Sequence, residues 1–232
     1  MMESKYVVAI VAAAGMGKRM KAGINKQFLT LEGQEILART LQKIEASPSI
    51  DEIIILIQKS DRHYLELILR KQPLSKPYQI VYGGKERQDS IHNALTALPE
   101  EATVVLTHDG ARPLVKVNKI EEVINGVSMT GAATLATPVK DTIKVSHNGQ
   151  TVDYTPNRKE LFAVQTPQVF YKEVLLKAYA QAYREHYYGT DDCSLVEKTG
   201  VKVSMVIDDF SNIKITTPED LILAEALLRS DI

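Results

Sequence analysis

Residues 7–20 read VVAIVAAAGMGKRM, and this stretch decides the fold. Its first half is an unbroken apolar run, which predicts a buried β-strand over residues 7–12 and is far too short to span a bilayer. The glycines that follow let backbone N–H groups approach an anion, and Lys18 and Arg19 add positive charge. A buried strand that leads into a glycine-rich basic loop predicts an α/β protein whose first loop binds phosphate.

This loop differs from two familiar phosphate-binding loops. The dinucleotide-binding pattern needs a third glycine, where this chain has Met20. A Walker loop needs Ser or Thr after its Gly-Lys pair, where this chain has Arg19. The loop is therefore either an anion-binding loop of another kind or a tight strand-to-helix turn with a solvated basic face.

Strand-like and helix-like patterns alternate along the rest of the chain. Strands are predicted at residues 53–57, 79–82, 103–107 and 202–207, and helices at residues 35–46, 62–70, 89–98, 120–128, 172–185 and 191–198. A last helix begins at Thr217, an N-cap residue followed by Pro218 at the first helical position and an acidic residue at the third. This order predicts a mainly parallel sheet with helices on both faces.

Composition limits the possible functions. The 28 basic and 29 acidic residues give a net charge of −1, which excludes the overall positive field of a nucleic-acid-binding protein. The hydrophobic fraction of 44% excludes wholesale disorder. One cysteine, Cys193, excludes an internal disulfide and a cysteine-based metal site, and it predicts a reducing, cytoplasmic setting. With no repeat, linker or membrane segment, residues 1–232 are predicted to form one domain with no membrane partner.

One region departs from the alternation of strands and helices. Short β-type pieces are predicted at residues 132–136, 142–145, 151–154 and 162–164. Asn148-Gly149, a strong hairpin signal, lies between two of them. These pieces predict a β-arm over residues 138–165 that leaves the main sheet. Because the arm has too little apolar area to fold alone, it is predicted to pair with a second copy of the chain.

A glycine pair follows the third predicted strand, at the edge where open parallel sheets bind ligands. Gly83-Gly84 begins a turn that leads to Ser90 at the start of a helix. Such a turn presents backbone groups and a hydroxyl to the edge of a base. The alternative is an ordinary Gly-Gly turn without a ligand.

A carboxylate follows the fourth predicted strand. Asp109 stands close to the basic loops and is a candidate Mg²⁺ ligand, since Mg²⁺ takes one or two protein carboxylates together with phosphate oxygens and water. The alternative is a carboxylate that caps the next turn and pairs with Arg112. His108 is predicted to be structural, because no second histidine or cysteine stands at metal-ligand spacing.

Two lysines complete the charged set. Lys26 follows the glycine loop, and Lys214 precedes the last helix. Each lysine alone is typical of an exposed side chain. Together with the glycine loop and Asp109, they indicate phosphate chemistry on a nucleotide. The sequence offers no Ser-His-Asp set that would indicate acyl transfer.

At these residues the sequence resembles a known family over nearly its whole length. Eight motifs occur in order: AAGxGxRM (13–20), KQF (26–28), GGxERQDS (83–90), HDxARP (108–113), PVKDTI (138–143), QTPQxF (165–170), TDDxSLVE (190–197) and NIKITTPED (212–220). The series looks like the 2-C-methyl-D-erythritol 4-phosphate cytidylyltransferases of the non-mevalonate isoprenoid pathway. The resemblance implies a Rossmann-like fold and a homodimer built by the β-arm. It also implies that CTP and methylerythritol phosphate react with Mg²⁺ to give the CDP-alcohol and pyrophosphate.

The resemblance implies a role for each matching residue. The implied catalytic residues are Arg19, Lys26, Arg158 and Lys214; the CTP loop is Ala13, Ala14, Gly15 and Gly17; the cytosine contacts are Gly84 and Ser90; the sugar-phosphate contacts are Arg112, Thr142 and Thr166; and the metal ligand is Asp109. Arg158 and Lys214 are implied to position the attacking phosphate. Thr142 and Arg158 lie on the arm and are implied to act across the dimer interface.

Three positions depart from the usual family pattern. Asn25 stands where a proline is usual, Asn157 where an aspartate is usual, and Gly110 where an alanine is common. None of these changes removes a charged group assigned to catalysis. Asn157 nevertheless precedes Arg158 directly, so it bears on how that arginine is held.

Three other functions compete with this one. A ribitol 5-phosphate cytidylyltransferase shares many motifs, although residues 138–142 and 190–194 look more like the methylerythritol enzyme. A nicotinamide-dependent oxidoreductase is disfavoured by Met20 at the third glycine position. A nucleotide-sensing module without turnover is disfavoured because binding alone would not need all of Arg19, Lys26, Asp109 and Lys214.

Overall fold

The computed structural model describes residues 5–15 and 25–230, and within them its main feature is a seven-stranded β-sheet. The strands are β1 (Val7–Ala13), β2 (Thr30–Leu31), β3 (Gln34–Glu35), β4 (Glu52–Ile57), β5 (Tyr78–Tyr82), β6 (Val104–Asp109), β7 (Ala132–Pro138), β8 (Phe162–Tyr171) and β9 (Ser204–Ile207). The helices are α1 (Ile36–Glu45), α2 (Arg62–Lys71), α3 (Arg87–Leu95), α4 (Val117–Gly126), α5 (Lys172–Arg184), α6 (Asp192–Lys198) and α7 (Pro218–Arg229). The small strands β2 and β3 pair with each other outside the main sheet.

The strand order of the main sheet is β5-β4-β1-β6-β8-β7-β9. Strands β5, β4, β1 and β6 are parallel to one another, as are β7 and β9, whereas β8 is antiparallel to both of its neighbours. The predicted mainly parallel sheet is therefore confirmed. In the register of β1 against β6, Ala12 lies beside Asp109, so the carboxyl ends of these two central strands meet at one edge.

Helices cover both faces of the sheet, as predicted, because successive side chains of a strand point to opposite faces. Val7, Ala9 and Val11 of β1 pack into one buried cluster with α1, α2 and α4. Val8 and Ile10 pack into a second cluster with α3, α5 and α6. Among the described residues, no helix is long and apolar enough to cross a membrane.

Helix ends agree with the sequence where a capping pattern marks them. The last helix begins after Thr217, whose side chain and that of Asp220 form a capping box, with Pro218 at the first position. Helix α3 begins two residues earlier than predicted, because Glu86 and Asp89 form a second capping box ahead of the first apolar residue. Strands β2 and β3 have two residues each, which is too short for a periodic pattern, and the sequence does not predict them.

The β-strand predicted at residues 162–164 is confirmed, but its predicted end at residue 164 is wrong. These residues are the first third of β8, a ten-residue strand that lies between β6 and β7. The full length of this strand cannot be recognised in the sequence, because the polar residues Gln165, Thr166 and Gln168 interrupt the apolar pattern at its centre. These side chains are buried, and they are hydrogen-bonded to other parts of the chain.

The strands predicted at residues 142–145 and 151–154 are also wrong. Between β7 and β8 the structure has one isolated antiparallel bridge, in which the Val145 N–H donates to the Tyr154 carbonyl at 2.9 Å. The chain does reverse at Asn148-Gly149, where the Asn148 side chain accepts the Gln150 N–H at 2.9 Å and Gly149 has a φ of 70°. A polar two-stranded hairpin without a covered face is too weak to extend the pairing into strands.

Candidate active site

A cleft of about 700 Å³ opens at the carboxyl ends of the parallel strands. It is lined by Ala12, Ala13, Ala14, Gly15, Lys26, Gln27, Gln58, Gly84, Lys85, Glu86, Arg87, Ser90, Asp109, Ala111, Lys214 and Thr216. Three segments that the sequence singled out after separate strands therefore meet in one place, together with both lysines. This is the edge at which open α/β sheets bind ligands.

Two glutamines hold the first loop at the edge of the cleft. The Gln27 side-chain amide donates to the Ala13 carbonyl, and that of Gln58 donates to the Ala14 carbonyl at 2.7 Å. These bonds fix the course of the backbone just before Gly15. Sequence reasoning assigned no role to either glutamine. The one feature of the sequence that points to Gln58 is its position directly after the buried strand β4, at the edge where ligands bind.

Two predicted residues of this loop, Gly17 and Arg19, lie outside the described residues. Lys26 is described, and it lines the cleft from a 3₁₀ turn over Lys26–Phe28. Gln27 and Phe28, the next two residues of that turn, are buried. The buried pair anchors the backbone that carries the Lys26 side chain to the cleft.

The turn after β5 packs directly against the first loop. A Cβ atom added to Gly83 would lie 2.5 Å from the Ala14 Cβ and 2.9 Å from the Ser90 Oγ, so only glycine fits there. The Ser90 hydroxyl accepts the Gly84 N–H at 3.0 Å and donates to the Glu86 carbonyl at 2.9 Å. The sequence marks Gly83 as one of a glycine pair, but its close contact with Ala14 is visible only in the structure.

The carboxylate of Asp109 is the charged centre of the cleft. Its Oδ2 lies 2.9 Å from the Lys214 Nζ and 3.3 Å from the Arg112 Nε. Burial alone would raise the pKa of Asp109, but the charges of Lys214, Arg87 and Arg112 hold it well below the ordinary value. Asp109 is therefore ionised, and it keeps Lys214 at the mouth of the cleft. The pairing with Arg112 that the sequence left open as an alternative is present in the structure.

Two predicted sugar-phosphate contacts lie behind Asp109 and outside the lining of the cleft. Arg112 is buried and donates to the Asn212 carbonyl at 2.7 Å. Thr166 is also buried, and its Oγ1 accepts the Asp109 N–H at 3.0 Å. In this structure both residues hold Asp109 in place.

His108 belongs to the same buried layer. Its Nδ1 lies 3.0 Å from the Thr166 Oγ1 and its Nε2 lies 3.2 Å from the Arg112 carbonyl. Burial lowers the pKa of His108 to about 4, so the ring is neutral at neutral pH. Its bonds within the chain agree with the structural role expected from the sequence.

The two predicted arm residues lie away from this cleft in their own chain. Thr142 and Arg158 are exposed, and neither belongs to the described residues that line the cleft. The Arg158 side chain donates to the Lys140 carbonyl at 2.9 Å. Asn157 caps the 3₁₀ turn Arg158–Glu160, accepting the Lys159 N–H at 3.2 Å, so this departure from the family pattern still supports the backbone of Arg158.

The side chains of the cleft suit a metal ion that takes most of its coordination from the phosphates of a bound substrate and from water. Within residues 5–15 and 25–230, no group of three or more His, Cys, Asp or Glu side chains could form a dedicated metal cage. Two carboxylates among these residues line the cleft, and that of Asp109 lies next to the cationic groups of Lys214 and Arg112. One carboxylate, completed by phosphate oxygens and water, is a coordination that Mg²⁺ accepts.

Comparison with known proteins gives one family. Residues 7–230 match the family model described as 2-C-methyl-D-erythritol 4-phosphate cytidylyltransferase. A protein of that name from Desulforamulus reducens is 44% identical over 224 residues, which cover 96% of each chain. Another from Clostridioides difficile is 46% identical and covers 96% of this chain and 93% of its own.

Solved structures agree with these relatives. The 4-diphosphocytidyl-2C-methyl-D-erythritol synthase of Anaerococcus prevotii has a TM-score of 0.88 and 36% identity, covering 98% of each chain. The 2-C-methyl-D-erythritol 4-phosphate cytidylyltransferase of Thermus thermophilus has a TM-score of 0.78 and 31% identity, covering 97% of this chain and 99% of its own. The likeness therefore covers nearly the whole chain.

Proposed function

Because this chain belongs to the 2-C-methyl-D-erythritol 4-phosphate cytidylyltransferase family, we propose that its cleft carries out the family's reaction with the residues described above. The enzyme transfers CMP from CTP to 2-C-methyl-D-erythritol 4-phosphate and releases pyrophosphate. The observation that carries this assignment is the family match over residues 7–230. The named relatives act on methylerythritol phosphate, which favours that substrate over ribitol 5-phosphate.

The chemistry needs cations more than it needs a base. The phosphate monoester of the sugar alcohol is already an anionic nucleophile. One of its oxygens forms a bond to the α-phosphorus of CTP, and the bond from that phosphorus to the bridging oxygen of the β-phosphate breaks. The electron pair leaves with pyrophosphate. Because two anions meet and charge accumulates on the phosphoryl oxygens, cations fixed in advance are the main source of rate enhancement.

Lys26 and Lys214 are the two described cations that we assign to this task. Lys26 lines the cleft and is proposed to contact the triphosphate. Lys214 is held 2.9 Å from the Asp109 carboxylate and is proposed to position the attacking phosphate. Arg19, outside the described residues, is proposed to act with Lys26 on the same triphosphate.

The two glycine-containing segments are proposed to bind the nucleotide. The backbone at Ala13 to Gly15 borders the cleft and is proposed to contact the phosphates. The turn that contains Gly84 and Ser90 is proposed to contact cytosine through its backbone, because the Ser90 hydroxyl already holds the turn.

Asp109 is the proposed protein ligand of Mg²⁺. Its single ionised carboxylate at the end of β6 fits an ion that takes the rest of its coordination from phosphate oxygens and water. When bound, the ion neutralises charge on the polyphosphate. Lys214 lies beside this carboxylate, and Lys26 lines the same cleft.

The arm is proposed to complete the site of a second copy. Thr142 and Arg158 do not line the cleft of their own chain among the described residues, and the segment between β7 and β8 is largely exposed. A reciprocal exchange of arms gives a closed dimer with two identical sites. In that dimer, the Arg158 of one copy reaches the substrate phosphate of the other.

A reducing, cytoplasmic setting is also proposed. Its support is Cys193, the single cysteine of the sequence, which is a free and buried thiol. Burial raises the pKa of this thiol, so it stays protonated and unreactive at neutral pH.

Pyrophosphate release tests the assignment. The purified chain is incubated with CTP, Mg²⁺ and, in separate reactions, methylerythritol phosphate, ribitol 5-phosphate and other polyol phosphates. Turnover with methylerythritol phosphate, and much less with the other acceptors, is the expected result. Turnover with ribitol 5-phosphate alone would contradict the substrate assignment and leave the fold untouched.

A further inference from the structure

A buried carboxylate lies behind the nucleotide-binding turn, and four hydrogen bonds converge on it. Asp192, the first residue of α6, is 1% exposed in its side chain. Arg87 donates to both of its oxygens, at 2.9 Å and 2.8 Å. The Tyr179 hydroxyl donates at 2.7 Å, and so does the Thr107 hydroxyl of β6. One carboxylate therefore joins α3, α5, α6 and the central strand that ends at Asp109.

Arg87 connects this buried group to the cleft. It is the first residue of α3, directly after the turn that begins at Gly83, and it lines the cleft. Burial alone would raise the pKa of Asp192, but the charge of Arg87 holds it below its ordinary value. Asp192 also accepts the hydroxyl of Thr107, two residues before Asp109 on β6, so it links Arg87 to the strand that carries Asp109.

The residues around Arg87 tie the same turn to α5 and to the segment between α5 and α6. The Gln88 side chain donates to the Tyr187 carbonyl at 3.1 Å and accepts the Gly189 N–H at 3.0 Å. Asp89 accepts the Tyr183 hydroxyl at 2.9 Å. Of these anchors, only Arg87 also lines the cleft.

Two of the quoted motifs thereby gain a role in support of the cleft. Gln168, from the QTPQxF motif, donates to Asp191 at 2.6 Å and accepts the Cys193 N–H at 3.2 Å. Asp191 caps α6 by accepting the Ser194 N–H at 2.9 Å. The TDDxSLVE motif therefore fixes the start of α6, and with it the position of Asp192.

We propose that Arg87, fixed by Asp192, is a positioning residue that sets the nucleotide-binding turn at residues 83–90 relative to Asp109. The bidentate pair restricts Arg87 to one geometry, as a lysine could not, and the turn follows because Arg87 begins α3. The inference rests on the proposed function, since it concerns how CTP is held. It predicts a defect confined to the nucleotide side of the reaction.

Asp192→Asn is the first test, because it keeps the shape of the side chain and removes its charge. We expect kcat/KM for CTP to fall on the order of 10- to 100-fold, as a misplacement of about 1 Å can produce. The fall should come mainly from a higher KM for CTP, with the KM for methylerythritol phosphate unchanged. Arg87→Lys, which keeps the charge and loses the bidentate geometry, should show the same pattern in weaker form. Glu185→Gln, which removes a surface ion pair with Lys198, is the matched control and should behave as wild type.

A double variant separates positioning from simple stabilisation. Breaking a buried ion pair destabilises a protein, whereas replacing both partners by apolar residues is often neutral. Arg87→Met with Asp192→Asn removes both charges and keeps a polar partner for the Tyr179 and Thr107 hydroxyls. This double variant is therefore expected to recover most of the melting temperature lost in Asp192→Asn alone, yet to keep the raised KM for CTP. Recovery of both quantities would overturn the inference. If the double variant does not fold, a wild-type KM for CTP in folded Arg87→Lys and Asp192→Asn would overturn it equally. Failure of the wild-type chain to release pyrophosphate would instead refute the proposed function.

Discussion

The cleft and the arm differ in what holds their functional residues in place. Asp109 lies in the cleft, buried at the end of a central strand. Its carboxylate is paired with Lys214 and Arg112, and its N–H donates to Thr166. The arm is largely exposed between β7 and β8, and its β-pairing is a single isolated bridge. Val152 and Tyr154 leave more than half of their surface open to solvent. The cleft is thus organised within one chain, whereas the arm has the features of a segment that is completed by a second copy.

The difference follows from how much apolar surface each region covers. The loops of the cleft after β1 and β6 extend from strands that are buried on both faces, so small displacements disturb close packing. The segment between β7 and β8 covers no core of its own and carries local side-chain bonds such as that of Asn148. Substitutions in the cleft are therefore expected to act within one chain, and those in the arm between chains.

Lys26→Ala is expected to give the largest effect in the cleft. The lysine is proposed to stabilise charge that develops only in the transition state, so kcat and kcat/KM should fall together. Loss of one such preorganised group costs on the order of 10²–10³ in rate. Steady-state kinetics with both substrates measures this, and Arg19→Ala is expected to behave in the same way. A large rise in KM with kcat unchanged would show that Lys26 only binds the ground-state phosphate.

A pair of glycine substitutions contrasts the two regions directly. In Gly83→Ala the new methyl group would lie 2.5 Å from the Ala14 Cβ, so the nucleotide-binding turn has to move. We expect kcat/KM for CTP to fall on the order of 10- to 100-fold. Gly149→Ala introduces strain at a φ of 70° but meets no atom within 4 Å. Its effect should stay in the arm turn, with a wild-type KM for CTP. Equal losses in the two variants would remove the distinction between the regions.

Asp109→Asn should give a smaller and more specific effect. Asparagine keeps the shape of the side chain but is a weaker Mg²⁺ ligand and no longer neutralises Lys214. The Mg²⁺ concentration for half-maximal activity should rise by about tenfold. A metal titration at saturating CTP measures this, with the melting temperature as a check on folding. An unchanged titration would remove Asp109 from the metal site.

The sequence predicts the parts of the molecule whose pattern is local. The strands on either side of the cleft are apolar runs, and Thr217, Pro218 and Asp220 mark a helix start, so these elements can be recognised without a structure. Strand β8 is recognised only at residues 162–164, because its buried polar side chains have partners far away in sequence, such as Asn212 for Gln165. The spacing of apolar residues along a segment does not show which distant residues the segment contacts.

The residues of the site differ in the same way: those with a local pattern can be recognised in the sequence, and those that depend on distant contacts cannot. The glycine loop, Asp109 and the two lysines stand out by residue type, and the family resemblance adds their roles. The supporting residues do not stand out, because their function depends on distant contacts. Gln58 reaches the first loop across 44 positions, and Arg87 reaches Asp192 across 105. A single sequence contains no signal that joins such pairs.

The most direct test of the account is complementation between two inactive variants. Lys26→Ala and Arg158→Ala chains are refolded together, and heterodimers are isolated with two different affinity tags. If each arm serves the other copy, one site of the heterodimer carries both defects and the other carries neither. Activity should then return to about half of the wild-type value per heterodimer, while each variant alone stays inactive. Heterodimers that remain inactive, or a chain that light scattering shows to be a monomer, would contradict the shared site.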